Sequence, residues 1–123
     1  MVTRSDTFLF INGRWSFFLC EGAWVPSLFL LQEQPTLLPQ VVVDMGAVRF
    51  VTNGADIMRP GIVSCDEFPS GAVVAVVDER HKKPLALAQS LYSSSELLGL
   101  SSGKVLSSLY YVGDEQWNKY NAS

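Results

Sequence analysis

The stretch from Val43 to Val63, VDMGAVRFVTNGADIMRPGIV, decides the fold. It reads as the end of a strand, a short helix, a glycine turn and a second strand. Val48 and Val51 recur at helical spacing, and Asn53-Gly54 closes the segment as a left-handed, helix-ending pair does. The helix therefore begins near Met45 and stops at Asn53. In the following Ala55-Asp56-Ile57-Met58-Arg59-Pro60-Gly61, Pro60 removes a ladder donor and Gly61 supplies freedom, so the strand is an edge or strongly bent. Arg49 and Arg59 are spaced to reach one shared side. An edge with uncommitted backbone groups beside two arginines is a place for a partner to dock.

Downstream, Ile62 to Ser64 continues that second strand and Asp66 to Ser70 is a loop. GAVVAVVDE, from Gly71 to Glu79, is a near-continuous β-branched run, the pattern of a strand buried on both faces. Arg80-His81-Lys82-Lys83 is a charged hairpin tip, and Pro84 opens the return strand Leu85 to Leu91. Ser93, Ser94 or Ser95 caps a short helix, Glu96 to Leu100, with Glu96 in the first turn where the helix dipole favours a negative charge. Lys104 to Leu109 continues into Tyr110 and Tyr111. Val112-Gly113-Asp114 then turns into Gln116-Trp117-Asn118. Short strands with turns every eight to twelve residues predict a small barrel.

Upstream, Met1 to Asp6 reads as loose. Thr7 to Ile11, Asn12-Gly13 and Arg14 to Cys20 form a hairpin with a two-residue type I′ turn. In that register Phe10 faces Trp15 and Phe8 faces Phe17, so four aromatics share a face that has to be covered. Glu21-Gly22 makes the next turn, and Ala23 to Val25 is a third strand ending at Pro26. Ser27 is the N-cap of a helix, Leu28 to Gln34, that Pro35 stops and that carries little polar face. Pro39-Gln40 is a linker, and Val41 to Val43 opens the barrel as a buried strand.

The 123 residues, 48% apolar and 17% charged, have a globular composition and suffice for a real core. The net charge of −3 argues against coating nucleic acid by bulk electrostatics, so any polyanion site is local. Residues 41 to 123 hold seven Lys+Arg and nine Asp+Glu, but the acids fall mostly at strand ends, away from Arg49 and Arg59. Cys20 and Cys65 lie far apart in sequence, and with one histidine no closely spaced metal set can be assembled. They read as thiols, with a disulfide as the alternative. No apolar run approaches the ~20 residues of a membrane helix, and no signal-peptide pattern opens the chain, which predicts a cytoplasmic location.

Catalysis fails on inventory. His81 lies among charges at a hairpin tip, away from a serine or cysteine nucleophile. The pairs Asp66-Glu67, Asp78-Glu79 and Asp114-Glu115 are neighbours on strands, so their side chains point to opposite faces; all three read as strand-end solubility. Gly54 to Gly61 lacks the Lys-Ser/Thr of a phosphate-binding loop. No enzyme, cofactor or metal is expected. Binding fares better: the Asn53-Gly54-Ala55 turn brings backbone N–H groups to a position without a side chain, and Arg49 and Arg59 add charged donors.

The segment from Val43 to Val63, with Gly71 to Glu79 as a central strand, Leu85 to Ser93 as the next and Gly103 to Tyr111 as a late one, resembles a PUA domain, the RNA-binding module named after pseudouridine synthases and archaeosine transglycosylases. The likeness covers residues 41 to 119. Phe8 to Pro39, with its FINGRWSFF run, Trp-Val-Pro-Ser turn and Leu-rich helix, is similar to the malignant-T-cell-amplified protein family and its archaeal relatives. The resemblance implies a mostly β fold with short helices: a PUA-type pseudo-barrel of five or six strands over residues 41–123, after a truncated or reduced α+β element, a β-meander plus helix, over residues 1–40. Family members carry a longer N-terminal region, and the sequence leaves open whether the chain begins late.

Carried over residue by residue, the resemblance nominates Gly46, Ala47, Arg49, Phe50, Gly54, Ala55, Asp56, Met58, Arg59 and Pro60 as RNA-binding, with Met58 a flexible apolar platform. It implies structured RNA, tRNA or rRNA, as the partner. It also implies work in translation with the small ribosomal subunit and a protein carrying a translation-initiation (SUI1-like) domain. In the competing reading Gly54 only caps the helix, Ile57 and Met58 fill the core, as Phe50 also could, and both arginines make surface ion pairs worth about 0–1 kcal/mol. Two further alternatives stand beside these: an adaptor docking through the N-terminal aromatic sheet, and the RNA-guiding module of a separate tRNA- or rRNA-modifying enzyme. Arg80, Lys82 and Lys83 read as a solvated turn or an extended RNA contact. Trp15, Trp24 and Trp117 fit packing. Oligomeric state is left open.

Overall fold

A computed structural model describes residues 2–4, 8–11, 14–20, 23–34 and 37–111. Strands β1 (Val2–Arg4), β2 (Phe8–Ile11), β3 (Arg14–Cys20) and β4 (Ala23–Pro26) form a four-stranded antiparallel sheet in chain order. β1 adds a strand where a loose N-terminus is expected. Ile11 stands opposite Arg14 and Phe10 opposite Trp15, as the sequence reading has it. A bulge then shifts the ladder, setting Leu9 opposite Phe17 and Phe8 opposite Phe18. The expected Phe8 to Phe17 pairing is therefore corrected by one residue, because a bulge gives two residues of one strand to one of its partner. The turns at Asn12-Gly13 and Glu21-Gly22, the stop at Pro35 and everything from Val112 on, Trp117 included, lie outside the described residues.

Ser27 caps helix α1 (Leu28–Glu33), its hydroxyl accepting from the Leu30 N–H at 3.2 Å. The second sheet holds β5 (Gln40–Val43), β6 (Ile57–Met58), β7 (Ile62–Cys65), β8 (Val73–Asp78), β9 (Pro84–Ser90) and β10 (Lys104–Tyr111) in the order β6-β10-β9-β8-β5-β7. β5 and β8 run parallel, and every other pair is antiparallel. Helix α2 (Met45–Val51) follows β5, and helix α3 (Ser94–Leu98) lies between β9 and β10. α3 starts two residues earlier than its first acidic residue suggests, because Ser93 and Glu96 form a reciprocal capping box that makes Glu96 the third helical residue.

All six strands of the second sheet feed one apolar cluster: Val41, Val43, Ile57, Ile62, Val74, Val76, Ala86, Ala88, Val105 and Leu106, joined by Phe68 and Leu97. The sheet thus rolls around a single core as a mostly β pseudo-barrel. The alternate residues of β8, β9 and β10, Ala75, Leu87 and Tyr110, point outward and pack with Val25, Leu28 and Leu31 of the N-terminal element. That contact explains the β-branched run of β8. One face fills the barrel and the other seats α1, so neither face needs polar residues.

Asp78 closes β8. Its carboxylate accepts from the N–H groups of Lys83 at 2.7 Å and His81 at 3.0 Å, although the residue is only 4% exposed. Strand-end solubility is thus the wrong account of Asp78, which builds the hairpin turn. Asp66 likewise ties down Gln40, which opens β5 rather than lying in a linker, accepting from its N–H at 2.8 Å. Burial pushes the Asp78 carboxyl up, but the N–H groups of Lys83 and His81 outweigh it and hold it below its ordinary value. A folded-state value below the unfolded one stabilises at pH above the ordinary carboxylate range of about 4, and that stability is lost as pH falls through the lowered value.

Two outcomes follow. Leu28→Ala, at a fully buried site between the two sheets, lowers stability by about 2–5 kcal/mol, read as a drop in the urea midpoint. Asp78→Asn lowers Tm at neutral pH, and its gap from the native chain narrows as pH drops below about 4; a gap independent of pH would show that the charge contributes nothing.

Candidate functional site

The polypeptide between β5 and β7 makes the surface of interest. Asp44 caps α2, its carboxylate accepting from the Ala47 N–H at 2.8 Å, while its own N–H donates to the Gly61 carbonyl at 2.9 Å. The start of the helix is thereby tied to the corner beyond β6. Val51 turns into the core and Val48 packs against it. The opposite side of α2 is left to solvent: Met45 is 37% exposed and Phe50 53%. The Arg49 guanidinium lies over the Phe50 ring, 4.7 Å from its centroid, a cation–π contact.

The segment expected as one bent strand is broken in two. β6 pairs with β10 and β7 pairs with β5, so the halves occupy opposite ends of the strand order. Between them Arg59–Gly61 forms a 3-10 turn with Pro60 at its start. Proline there forfeits no needed donor. Gly61 allows close approach, since a Cβ on it would come 3.2 Å from that of Ala47.

Between α2 and this corner lies a groove of about 710 Å³. Seven of the ten nominated residues line it: Gly46, Ala47, Phe50, Ala55, Asp56, Met58 and Pro60. Its walls are almost wholly apolar, and Met58, 50% exposed, stands open to solvent. The competing core reading therefore fails for Phe50 and Met58 but holds for Ile57, which is buried in the barrel core. Asp44, Val51, Ile57, Gly61 and Lys104 also line the groove and are not among the nominated residues. Lys104 comes from β10 and pairs with Asp56 at 3.3 Å. No local pattern reveals a pairing across 48 residues. Asp56 also accepts from the Ser108 N–H at 2.8 Å; that bond, followed by the nearby Lys104, holds its carboxyl below the ordinary value.

Three nominated residues do not line the groove, each for a physical reason. Arg59 folds back on its own protein, donating to the carbonyls of Ile62 at 3.2 Å and Leu98 at 3.5 Å. Arg49 is exposed and lies over the Phe50 ring, outside the groove lining. The two guanidinium groups thus take different partners, Arg59 the carbonyls of its own fold and Arg49 the Phe50 ring. Gly54 does adopt the left-handed region, with φ of 88°, but its missing side chain makes room for Tyr111: a Cβ there would lie 2.7 Å from the tyrosine ring. The turn's donors are committed as well. The N–H groups of Asn53 and Ala55 donate to Phe50 and that of Gly54 to Val51, all within 3.1 Å. The turn is a closed helix terminus, not an open cradle for phosphate.

Among the described residues, no three His, Cys, Asp or Glu side chains gather as a metal would require, and no helix is long and apolar enough to cross a membrane. His81 sits exposed at the β8–β9 tip. Cys65 is a free thiol, its ionisation pushed up by burial. What the groove offers is an apolar lining edged by Asp44 and the Asp56–Lys104 pair, with Arg49 over Phe50 beside it, suited to the face of a planar group rather than to an anion.

Comparison with known proteins gives the same outline. A family model described as PUA domain matches residues 39–108. An uncharacterized protein of Methanocaldococcus jannaschii is 45% identical over 95 residues, 76% of this chain and 59% of that protein. Translation machinery-associated protein 20 of Saccharomyces cerevisiae is 30% identical and malignant T-cell-amplified sequence 1-B of Xenopus laevis 34%, covering 88% and 89% of this chain and 64% of each relative. The chain thus spans about three-fifths of the length of these relatives. Among solved structures, a hypothetical protein of Pyrococcus horikoshii superimposes with a TM-score of 0.86 at 29% identity, over 97% of this chain and 77% of that one.

Gly54→Ala should destabilise the fold by about 1–3 kcal/mol, because the residue must keep a left-handed backbone against an aromatic ring. Combining it with Tyr111→Ala relieves the collision alone. The double variant should therefore lose less stability than the two single changes added together, measured by urea unfolding.

Proposed function

The chain belongs to the PUA-domain family, and on that premise we propose that it is a non-catalytic RNA-binding protein that holds structured RNA, tRNA or rRNA, on the α2–β6 face. The observation that carries this reading is the exposed groove between α2 and the Arg59–Gly61 corner, where Phe50 and Met58 stand half in solvent beside Arg49. Apolar side chains of that size are usually buried, and their gathering on one surface next to a cation supports the reading of a binding site there. Each base presents a planar π-face to Phe50 and Met58, stacking worth about 1–3 kcal/mol per base, and Arg49 supplies the charge for the adjoining phosphate.

The nominated residues divide by role in this proposal. Gly46, Ala47, Ala55 and Pro60 form the floor, Phe50 and Met58 the stacking surfaces, and Arg49 the phosphate contact. Arg59 and Gly54 hold the corner and the helix end in place, and Asp56 fixes Lys104 at the rim. The likeness to a translation machinery-associated protein supports a place in translation, with the small ribosomal subunit or a SUI1-like domain protein as further partners.

Filter binding with a tRNA transcript tests the reading. Phe50→Ala should weaken binding by about tenfold or more with the salt dependence unchanged, since it removes stacking alone. Arg49→Ala should lower the slope of log affinity against log salt by about one. Equal binding by the native chain and both variants would refute the assignment of this face.

A further inference from the structure

The β8–β9 turn presents four consecutive basic residues, Arg80, His81, Lys82 and Lys83, all exposed. It is a built loop rather than slack chain. The Asp78 carboxylate accepts from His81 and Lys83, the Asp78 carbonyl accepts from the Lys82 N–H at 3.0 Å, and Lys82 holds a left-handed backbone with φ of 54°. Burying a carboxylate to organise a turn of cations fixes where those charges stand. Glu79 is the one exposed acid in the turn.

The strand registers say where the tip lies. Asp78 pairs in parallel with Val43, and the next residue, Asp44, caps α2. On the other side Pro84 opens β9, and two residues on Ala86 pairs with Tyr111, whose ring fills the notch at Gly54 beyond the far end of α2. Both ends of α2 therefore sit at the end of the barrel from which the tip emerges. In a chain of net charge −3, the cations of the tip and the helix that carries Arg49 thus share one end of the barrel, with Asp44 and Glu79 as the acids beside them.

We propose that the β8–β9 tip is a second RNA contact, in which Arg80, Lys82 and Lys83 grip backbone phosphates of the strand whose neighbouring nucleotide lies against Phe50 and Met58. The inference rests on the RNA-binding reading of the α2–β6 face. The division of labour is chemical: the groove has apolar walls and no unspent backbone donors in the adjoining turn, so it takes a base, while the tip supplies flexible charges without a shaped pocket, so it takes phosphates whatever their sequence.

A triple variant, Arg80→Gln, Lys82→Asn and Lys83→Gln, tests this while Asp78 is retained. Asparagine is chosen at position 82 because it tolerates the left-handed backbone. With the tRNA transcript as probe, the triple variant should show a salt slope shallower by about two to three. Glu79→Lys, which adds a charge to the intact turn, should steepen the slope by about one, a gain that partial unfolding does not mimic. Should both variants keep the native slope and affinity while Phe50→Ala weakens binding, the tip makes no contact and the groove assignment stands. Should the native chain fail to bind the transcript at low salt, the RNA reading and this inference both fall.

Discussion

One corner sets the geometry of this protein. At Arg59-Pro60-Gly61 the chain leaves one edge of the six-stranded sheet and re-enters at the other, so a short segment serves two ladders that are not neighbours. The corner is pinned from several directions: the Arg59 N–H donates to Gly103, the Gly61 carbonyl accepts from Asp44, and the Arg59 side chain reaches Ile62 and Leu98. Proline and glycine make the bend inexpensive, and the arginine locks it. Because the bend carries β7 away from β6, α2 is left with one side against the core and the other over a groove that the barrel does not fill. The open surface is a consequence of how the barrel closes.

That origin explains the chemistry of the surface. The groove walls continue the core outward, through Val51 and Ile57 to Phe50 and Met58, so they are apolar. Most of the polar groups nearby already have partners, the buried Arg59 Nε apart: Asp44 caps a helix, Asp56 holds Lys104 and Ser108, and the N–H groups of Asn53, Gly54 and Ala55 close the end of α2. A ligand anchored mainly by phosphates finds few unspent donors here. A ligand with a planar apolar face and charge beside it fits both the floor and the rim, and on the proposed reading an acidic chain then needs no basic surface overall to hold RNA.

The elements that sequence reasoning recovered are those set by local rules. Ser27 caps its helix as expected, and the late helix takes Ser93 from the three serines offered, because the competition between side-chain oxygens and backbone N–H groups is settled within one turn. Pro60 and Gly61 announce a break by their own backbone limits. The features that escaped are set by distant chain. Gly54 reads alike whether its notch holds a ligand or Tyr111. The bulge between Leu9 and Phe10 is silent in composition. Arg59 differs from Arg49 because it folds back on the carbonyls of Ile62 and of Leu98, which arrives from α3, and Asp78 looks like a solvated strand end until its two turn donors fold back on it.

The central claim is that RNA lies on the face made by α2, β6 and the adjoining corner. Amide chemical-shift mapping of the whole chain titrated with a tRNA transcript addresses it without altering a residue. The expected result is that the changes concentrate on Met45 to Phe50 and on Ala55 to Gly61. Changes concentrated instead on the strands of the N-terminal sheet, with those two segments unmoved, would contradict it.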